Sequence, residues 1–463
     1  MRNKRKAAQQ RLAGALAKAA PVRAADLARD LDISVPTLHR LLQECSEPVL
    51  AAGRARRTRY ALRRPLRGDL SPIPIHAIDE AGQPHEVTVL SLIQPQGCWA
   101  DFVGTDWPLN EESRDGWWAG LPYPLYDMRP QGYLGRQLAH RVQDTLAVSP
   151  NPAAWTDDDI LWVLSRMGTD LPGNLIVGDA AYRCWQEEAR LNPPPVLNAS
   201  EIGPMYAQAA EQAIALGLAG SSAAGEFPKF TALREAPEAR TPHVIVKFSG
   251  ADPSPAVRRW ADLLIAEHLA LETIRGLPGV ESPPSLIREF GGRTFLEVER
   301  FDRHGAFGRS AVVTLETINA EFIGRAPAAW ASLTDALYDA RLLSAELASA
   351  IHRIVWFGRL IANNDMHLGN LTFRPREGVL HLCPVYDMLP MAYAPLPGGE
   401  LPRPVFHPPL PLPREHTLWL QACQAATRFW KNVANDERIS APFRAIAEGN
   451  AAELGRREQS VAA

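Results

Sequence analysis

Asn363-Asn364-Asp365-Met366-His367-Leu368-Gly369-Asn370 is the densest run of polar side chains in an apolar setting in this 463-residue chain. Before it, Ile351 to Ala362 is apolar with helical spacing; after it, Leu371-Thr372-Phe373 has the composition of a strand. A helix that gives way to a polar loop and then a strand lets Asp365 and Asn370 turn into one cleft, which a regular helix would not allow. Downstream, His381-Leu382-Cys383-Pro384-Val385-Tyr386-Asp387-Met388 reads as a strand or near-strand ending on an aspartate, 22 residues after Asp365.

The spacing Asp-x-x-x-x-Asn is that of the protein-kinase catalytic loop. There the Asp accepts the proton of the attacking hydroxyl and the Asn holds a magnesium ion. The same chemistry needs a second metal-binding carboxylate on the strand after the loop, and Asp387 fills that position in Tyr-Asp-Met rather than Asp-Phe-Gly. Upstream, His243 to Phe248 is a strand with Lys247 inside it, and a buried lysine needs an anion partner. Trp260, Leu263, Leu264, Glu267 and Leu271 share one face of the next helix, so Glu267 also needs a partner, and Lys247 is the obvious one. Within Gly220 to Thr231, small residues followed by Lys229 make a loop able to bring backbone N–H groups close to phosphates. Phe295 to Arg303 reads as a strand entering a charged turn, where a kinase hinge would hold adenine by its backbone. Two other classes share these features. One is a small-molecule phosphotransferase; the other is a transcription regulator whose kinase-like body binds nucleotide without turning it over.

The N-terminus has a different character. Residues 1–67 hold 16 Lys/Arg against 5 Asp/Glu, so within a net charge of −3 the remainder carries about −14. That asymmetry suggests a nucleic-acid-binding head on an acidic body. Leu12 to Ala20 and Ala24 to Leu31 read as helices; Ser34 caps a third that tolerates Pro36 in its first turn. Val49–Ala52 and Arg59–Leu62 alternate like strands around Gly53-Arg54-Ala55-Arg56-Arg57. This predicts a winged helix-turn-helix over 1–66. Ser34, Thr37, His39 and Arg40 would begin the recognition helix, and Arg54, Arg56 and Arg57 would meet the phosphates of duplex DNA.

Apolar residues at 46% and charged residues at 22% place the chain among ordinary globular proteins rather than disordered or fibrous ones. No apolar run approaches the roughly 18 residues that span a bilayer, so no membrane partner is expected. Five scattered cysteines without a Cys-x-x-Cys pair fit neither a disulfide framework nor a zinc site, which points to the cytoplasm. From Leu66 to Arg114 the pattern is β-like; Gly132–Val142 and Asp157–Arg166 read as helices; from Ala328 the chain is mostly helical. Strands followed by helices predict an α+β fold with two lobes. The expected boundaries are 67–218, β-rich and then helical; 219–302, an ATP-binding small lobe; and 303–463, a mainly helical catalytic lobe.

Taken in order, Ser222 to Lys229, Val-Lys247, Ala-Glu267, Val-Glu-Arg-Phe-Asp-Arg at 298–303, Asn-x-Asp-x-His-x-x-Asn at 363–370 and Tyr-Asp at 386–387 resemble the HipA family. These are serine/threonine kinases of bacterial type II toxin-antitoxin systems. The fused head resembles the YjjJ-type branch. The resemblance covers roughly residues 70–440 and implies a two-lobed, protein-kinase-like fold using ATP and Mg2+. It implies Asp365 as the base and Asn370 and Asp387 as magnesium ligands. Lys247 and Lys229 would lie on the phosphates with Ala224, Gly225 and His367, Glu267 would support Lys247, and Glu299, Arg300 and Phe301 would lie at the adenine. Ser222 would be a loop serine whose autophosphorylation silences the toxin. Partners implied are a protein substrate in translation, such as an aminoacyl-tRNA synthetase, and an antitoxin or a second copy. Two positions depart from the family: Gly369 stands where Lys is usual, and Phe227 where Gln is usual.

Overall fold

The computed structural model describes residues 2–19, 21–53, 57–193, 195–215, 227–235 and 239–462. Arg54, Arg56, Ser222, Ala224 and Gly225 lie outside the described residues.

The head consists of α1 (Arg2–Lys18), β1 (Val22–Arg23), α2 (Ala24–Asp30), α3 (Val35–Gln43), β2 (Val49–Ala52) and β3 (Arg59–Leu62). Between α2 and α3 the turn is closed by Asp32 in the left-handed region at φ 54°. Ser34 Oγ then caps α3 by accepting the Thr37 N–H at 3.4 Å, with Pro36 in the first turn where no backbone donor is missed. Leu12, Leu16, Leu27, Leu38, Leu41 and Leu62 form a small core of their own. The strands run in the order β1-β3-β2. On the other side of this sheet, Leu50, Ala52 and Ala61 pack on Ile93, Trp99 and Trp117. The Gln94 N–H donates to the Leu62 carbonyl at 2.8 Å, and Arg64 grips Asp158 with two bonds of 2.7 Å. The head is therefore docked on the sheet and helix that carry Ile93, Trp117 and Asp158.

That second region is a five-stranded sheet of β4 (Ile73–Ile78), β5 (Pro84–Leu92), β6 (Cys98–Trp99), β7 (Trp117–Trp118) and β8 (Leu175–Val177), in the order β7-β6-β5-β4-β8. α4 (Gly132–Leu146), α5 (Asp157–Met167), α6 (Asp179–Gln186) and α7 (Ala199–Ala215) accompany it. Thr156 and Asp159 form a reciprocal capping box at the start of α5.

The third region opens with a four-stranded antiparallel sheet made of β9 (Lys229–Leu233), β10 (His243–Phe248), β11 (Ser285–Phe290) and β12 (Arg293–Glu299), ordered β11-β12-β10-β9. α8 (Pro255–Ile274) runs between β10 and β11, and it is buried on almost every side rather than along the single stripe expected. Next come β13 (Arg303–His304), β14 (Gly308–Arg309), β15 (Val313–Thr314), α9 (Leu315–Ile318), α10 (Trp330–Asp339), α11 (Ala345–Leu360), β16 (Thr372–Arg376) and β17 (Val379–Leu382). α12 (His416–Asn435) and α13 (Ala441–Ala462) close the chain, after a proline-rich stretch from 394 to 412 without helix or strand. Leu90, Leu161, Leu264, Leu315, Phe357 and Phe429 belong to one contiguous core. The regions expected at 67–218 and 303–463 thus share a core.

One local expectation is corrected. The run from His381 to Met388 is not strand throughout: β17 ends at Leu382, and Asp387 sits in the left-handed region at φ 52°. Tertiary ties to Lys247 and Asn363 bend the chain there.

Candidate active site

The site is assembled where the four-stranded sheet meets the loop between α11 and β16. In β10, Lys247 lies opposite Leu296 of β12 and Lys229 of the edge strand β9, so both lysines occupy one register row. Lys247 is 6% exposed, and its Nζ donates to Glu267 Oε1 at 2.6 Å and Oε2 at 2.8 Å from the interior of α8. The same Nζ also donates to Asp387 Oδ1. One ammonium thus joins two carboxylates brought together from positions far apart in the sequence.

Charge follows this geometry. Burial by itself would push the Asp387 carboxyl up, but the ammonium groups of Lys247 and Lys229 prevail and hold it at about 2. Burial raises Glu267 despite the pull of Lys247, and the neighbouring Asp387 charge adds to the rise. Burial would lower Lys247, but Asp387 and Glu267 raise it above the ordinary lysine value. At neutral pH the ammonium is charged, and so is Asp387.

The loop is braced from several sides. Gly358 of α11 lets Met366 lie directly on the helix, because a Cβ there would overlap Met366 Sδ. Asn363, 7% exposed, accepts the Asp365 N–H at 3.0 Å through Oδ1 and donates from Nδ2 to the Asp387 carbonyl at 3.3 Å. Asn370 donates Nδ2 to the Asp365 carbonyl at 3.1 Å. The His367 ring accepts the Gly369 N–H at 3.2 Å on Nδ1, and its carbonyl accepts Trp330 Nε1–H at 3.0 Å. Tyr386 donates its hydroxyl to the Gly369 carbonyl at 2.7 Å. The Asp365 side chain is exposed at the loop surface. Asn363 was read only as part of the motif; its repetition of Asn before the aspartate was the available signal.

The residues fit a hard divalent cation. With Nδ2 of Asn370 turned to Asp365, its amide oxygen is the free hard donor, and the ionised Asp387 carboxylate supplies another. Among the described residues no three His, Cys, Asp or Glu side chains gather as a closed cage. An ion here would be completed by phosphate and water oxygens.

The segment Glu299–Arg303 commits its charged side chains to a network of its own. Glu299 Oε1 accepts Arg234 Nη2–H at 3.0 Å, and Arg300 donates to Asp302 at 3.0 Å twice and to Asp170 at 2.7 Å. Arg303 donates to Asp302 at 2.7 Å and to Asp170 at 2.9 Å. The Glu299 and Arg300 side chains are spent on this buried network, and their N–H groups donate to the Pro284 carbonyl at 2.9 Å and the His243 carbonyl at 3.1 Å. Phe301 lies half-buried, its ring 5.6 Å from that of Tyr386. Phe227 packs edge-on against Trp260 at 4.7 Å and faces the Lys247 ammonium at 6.0 Å, so the aromatic ring has a defined seat beside the site.

In the head, His39, Arg40 and Arg57 are exposed, and the His39 ring lies 6.4 Å from that of Tyr60. Ser34 Oγ and Thr37 Oγ1 are 2.9 Å apart, so these hydroxyls serve the helix cap.

A family model for the YjjJ-like toxin middle domain matches residues 69–186, and one for the HipA-like C-terminal domain matches residues 221–455. Toxin YjjJ of Escherichia coli (strain K12) is 36% identical over 444 residues, which cover 96% of this chain and 97% of that protein. Among solved structures, a chain of the Shewanella oneidensis MR-1 HipA, HipB and operator DNA complex aligns at TM-score 0.47 and 14% identity, over 84% of this chain and 95% of that one. The Helicobacter pylori proinflammatory kinase CtkA aligns at TM-score 0.34 and 12% identity, over 51% of this chain and 90% of that one. On the strength of the two matching family models and the full-length relative, the chain belongs to the HipA-like toxin family, within its YjjJ-like branch.

Proposed function

We propose that this chain is an ATP- and magnesium-dependent serine/threonine protein kinase acting as a toxin, with its own DNA-binding head. The observation that carries the reading is the single ammonium of Lys247 joining Glu267 and Asp387, beside a loop that holds Asp365 and Asn370. ATP supplies the phosphoryl group, and magnesium bound by hard oxygens offsets its charge. Asp387 and the Asn370 amide oxygen hold that ion. Lys247, kept in place by Glu267, exchanges Asp387 for phosphate oxygens, with Lys229 and His367 beside it. The backbone of Glu299–Phe301 receives the adenine. Asp365, exposed at the loop surface, takes the proton from a substrate serine or threonine hydroxyl.

The head is read as a winged helix-turn-helix, with α3 entering the major groove and Arg57 on the wing meeting phosphate. Fused to a toxin, it supplies autoregulation or antitoxin-like control. A separate antitoxin or a second copy of the chain are the partners that family membership brings into view. The substrate class is a protein of translation, such as an aminoacyl-tRNA synthetase. Ser222 is proposed as an autophosphorylation site, since a phosphate beside Lys229 would compete with those of the nucleotide. The test of the whole reading is incubation of purified protein and a cell lysate with γ-labelled ATP and Mg2+. Label on protein serine or threonine with wild type, and none with Asp365→Ala, supports it. Label on small metabolites only, or ATP binding without transfer, overturns it.

A further inference from the structure

A polar cavity of about 360 Å³ opens where α4 begins, bordered by Tyr126, Gln131, Gly132, Arg136, Glu316 and Thr317. Glu316 is the lining residue that also reaches the catalytic loop: its Oε2 lies 3.7 Å from where a Cβ on Gly369 would stand. Gly369 directly precedes Asn370, so this carboxylate stands beside the loop that carries Asp365.

Glu316 is held firmly although its side chain is exposed. The strand before it pairs with the strand leaving the loop, Thr314 opposite Thr372, and the Leu315 N–H donates to the Leu371 carbonyl at 2.8 Å. Below it, the Asp127 carboxylate accepts Thr314 N–H at 2.6 Å, Thr314 hydroxyl at 2.8 Å and Thr317 hydroxyl at 2.7 Å. Asp127 is thus consumed in fixing the turn that carries Glu316. Of the arginines around the cavity, Arg129 rests on the Tyr126 ring at 4.6 Å, and Arg136 is engaged elsewhere. No Lys, Arg or His among the described residues forms an ion pair or hydrogen bond with the Glu316 carboxylate. A rigidly mounted, uncompensated carboxylate beside the loop invites a cation from a partner.

We infer that Glu316 is a specificity-determining residue that receives a lysine or arginine side chain of the protein substrate close to the phosphorylated serine or threonine. This rests on the kinase reading above. The charge-assisted bond to this exposed carboxylate favours basic-flanked sites by roughly three-fold. A Cβ on Gly369 would stand 3.1 Å from the His367 ring and 3.7 Å from Glu316 Oε2, so the carboxylate and the ring flank the loop closely at this point.

The experiment maps phosphosites by mass spectrometry after incubating the full chain with Mg-ATP and lysate, for wild type, Glu316→Gln, Glu316→Asp and Glu316→Arg. Wild type should give sites enriched in Lys or Arg within about three residues of the phosphorylated hydroxyl. Glu316→Gln should lose that enrichment, Glu316→Asp should keep it, and Glu316→Arg should shift it toward acidic neighbours. With a peptide copied from a mapped wild-type site, Glu316→Gln should raise KM roughly three-fold with little change in kcat. Sites from wild type without a basic bias, or the same bias in Glu316→Gln, would overturn the inference and leave the kinase reading standing. An absence of any Asp365-dependent phosphosite would instead sink the kinase reading, and this inference with it.

Discussion

Replacing Asp302 by Asn tests how the site is held in place. Asp302 accepts two bonds from Arg300 at 3.0 Å, one from Arg303 at 2.7 Å, and the Gly173 N–H at 3.0 Å. With the carboxylate gone, Arg300, Arg303 and Arg309 would share only Asp170. Arg309 is already pushed down to about 9 by burial and by the Arg303 charge. Removing one partner of a buried ion pair costs about 3–5 kcal/mol, because the remaining charge is stranded. An Asn oxygen still accepts some of these bonds, so the lower end, about 3 kcal/mol, is expected here, more than a hundred-fold in the folding equilibrium. Acid exposes the same network in the wild type. Burial alone would raise Asp302, but Arg300 and Arg303 hold its pKa far below the ordinary 3.8. A depressed folded pKa gives stability that is complete above the unfolded pKa, near pH 4, and is lost as pH falls below it toward the folded value. The variant should therefore be less stable at neutral pH and show a flatter decline below pH 4. Urea unfolding followed by tryptophan fluorescence at pH 7 and below pH 4 measures both. A loss under about 1 kcal/mol at pH 7, or an unchanged acid slope, would refute the account of this network.

Two further outcomes concern the proposed metal site and the head. Asp387→Ala should abolish magnesium-dependent ATP binding or turnover, since the pair of hard oxygens is broken; normal Mg-ATP affinity by calorimetry would place the ion elsewhere. Arg40→Ala with Arg57→Ala in the intact chain should weaken duplex DNA binding, and the loss of the Arg57 phosphate contact should reduce the salt slope by about one. Unchanged binding across a salt titration would remove these residues from the interface.

Much of this could be read along the chain because it is written locally. Ser34, Pro36 and the Arg59–Leu62 run announce the head through a helix cap and strand-like composition, and both hairpin strands fall where the pattern places them. Lys247 and Glu267 each betrayed a partner by sitting charged among apolar neighbours, and the structure joins them. What escaped is what depends on distant segments. Asp170 and Gly173 meet Arg300 and Asp302 across some 130 residues, and no local pattern marks Asp170 as the anion that consumes Arg300. Asp387 read as the end of a strand, because hydropathy carries no sign of the left-handed turn imposed by Lys247 and Asn363. The packing of Leu50, Ala52 and Ala61 on Trp117 was likewise invisible, since small apolar residues in a short strand name no partner.

The central claim is that Asp365 serves phosphoryl transfer in a site assembled around Lys247, Glu267 and Asp387. The most direct measurement compares wild type with Asp365→Asn, following ATP affinity and transfer of labelled phosphate to protein in the same preparations. The groups that hold the nucleotide remain in the variant, so affinity should stay within about two-fold while transfer falls at least about a hundred-fold. Transfer retained at the wild-type rate by Asp365→Asn would contradict the account.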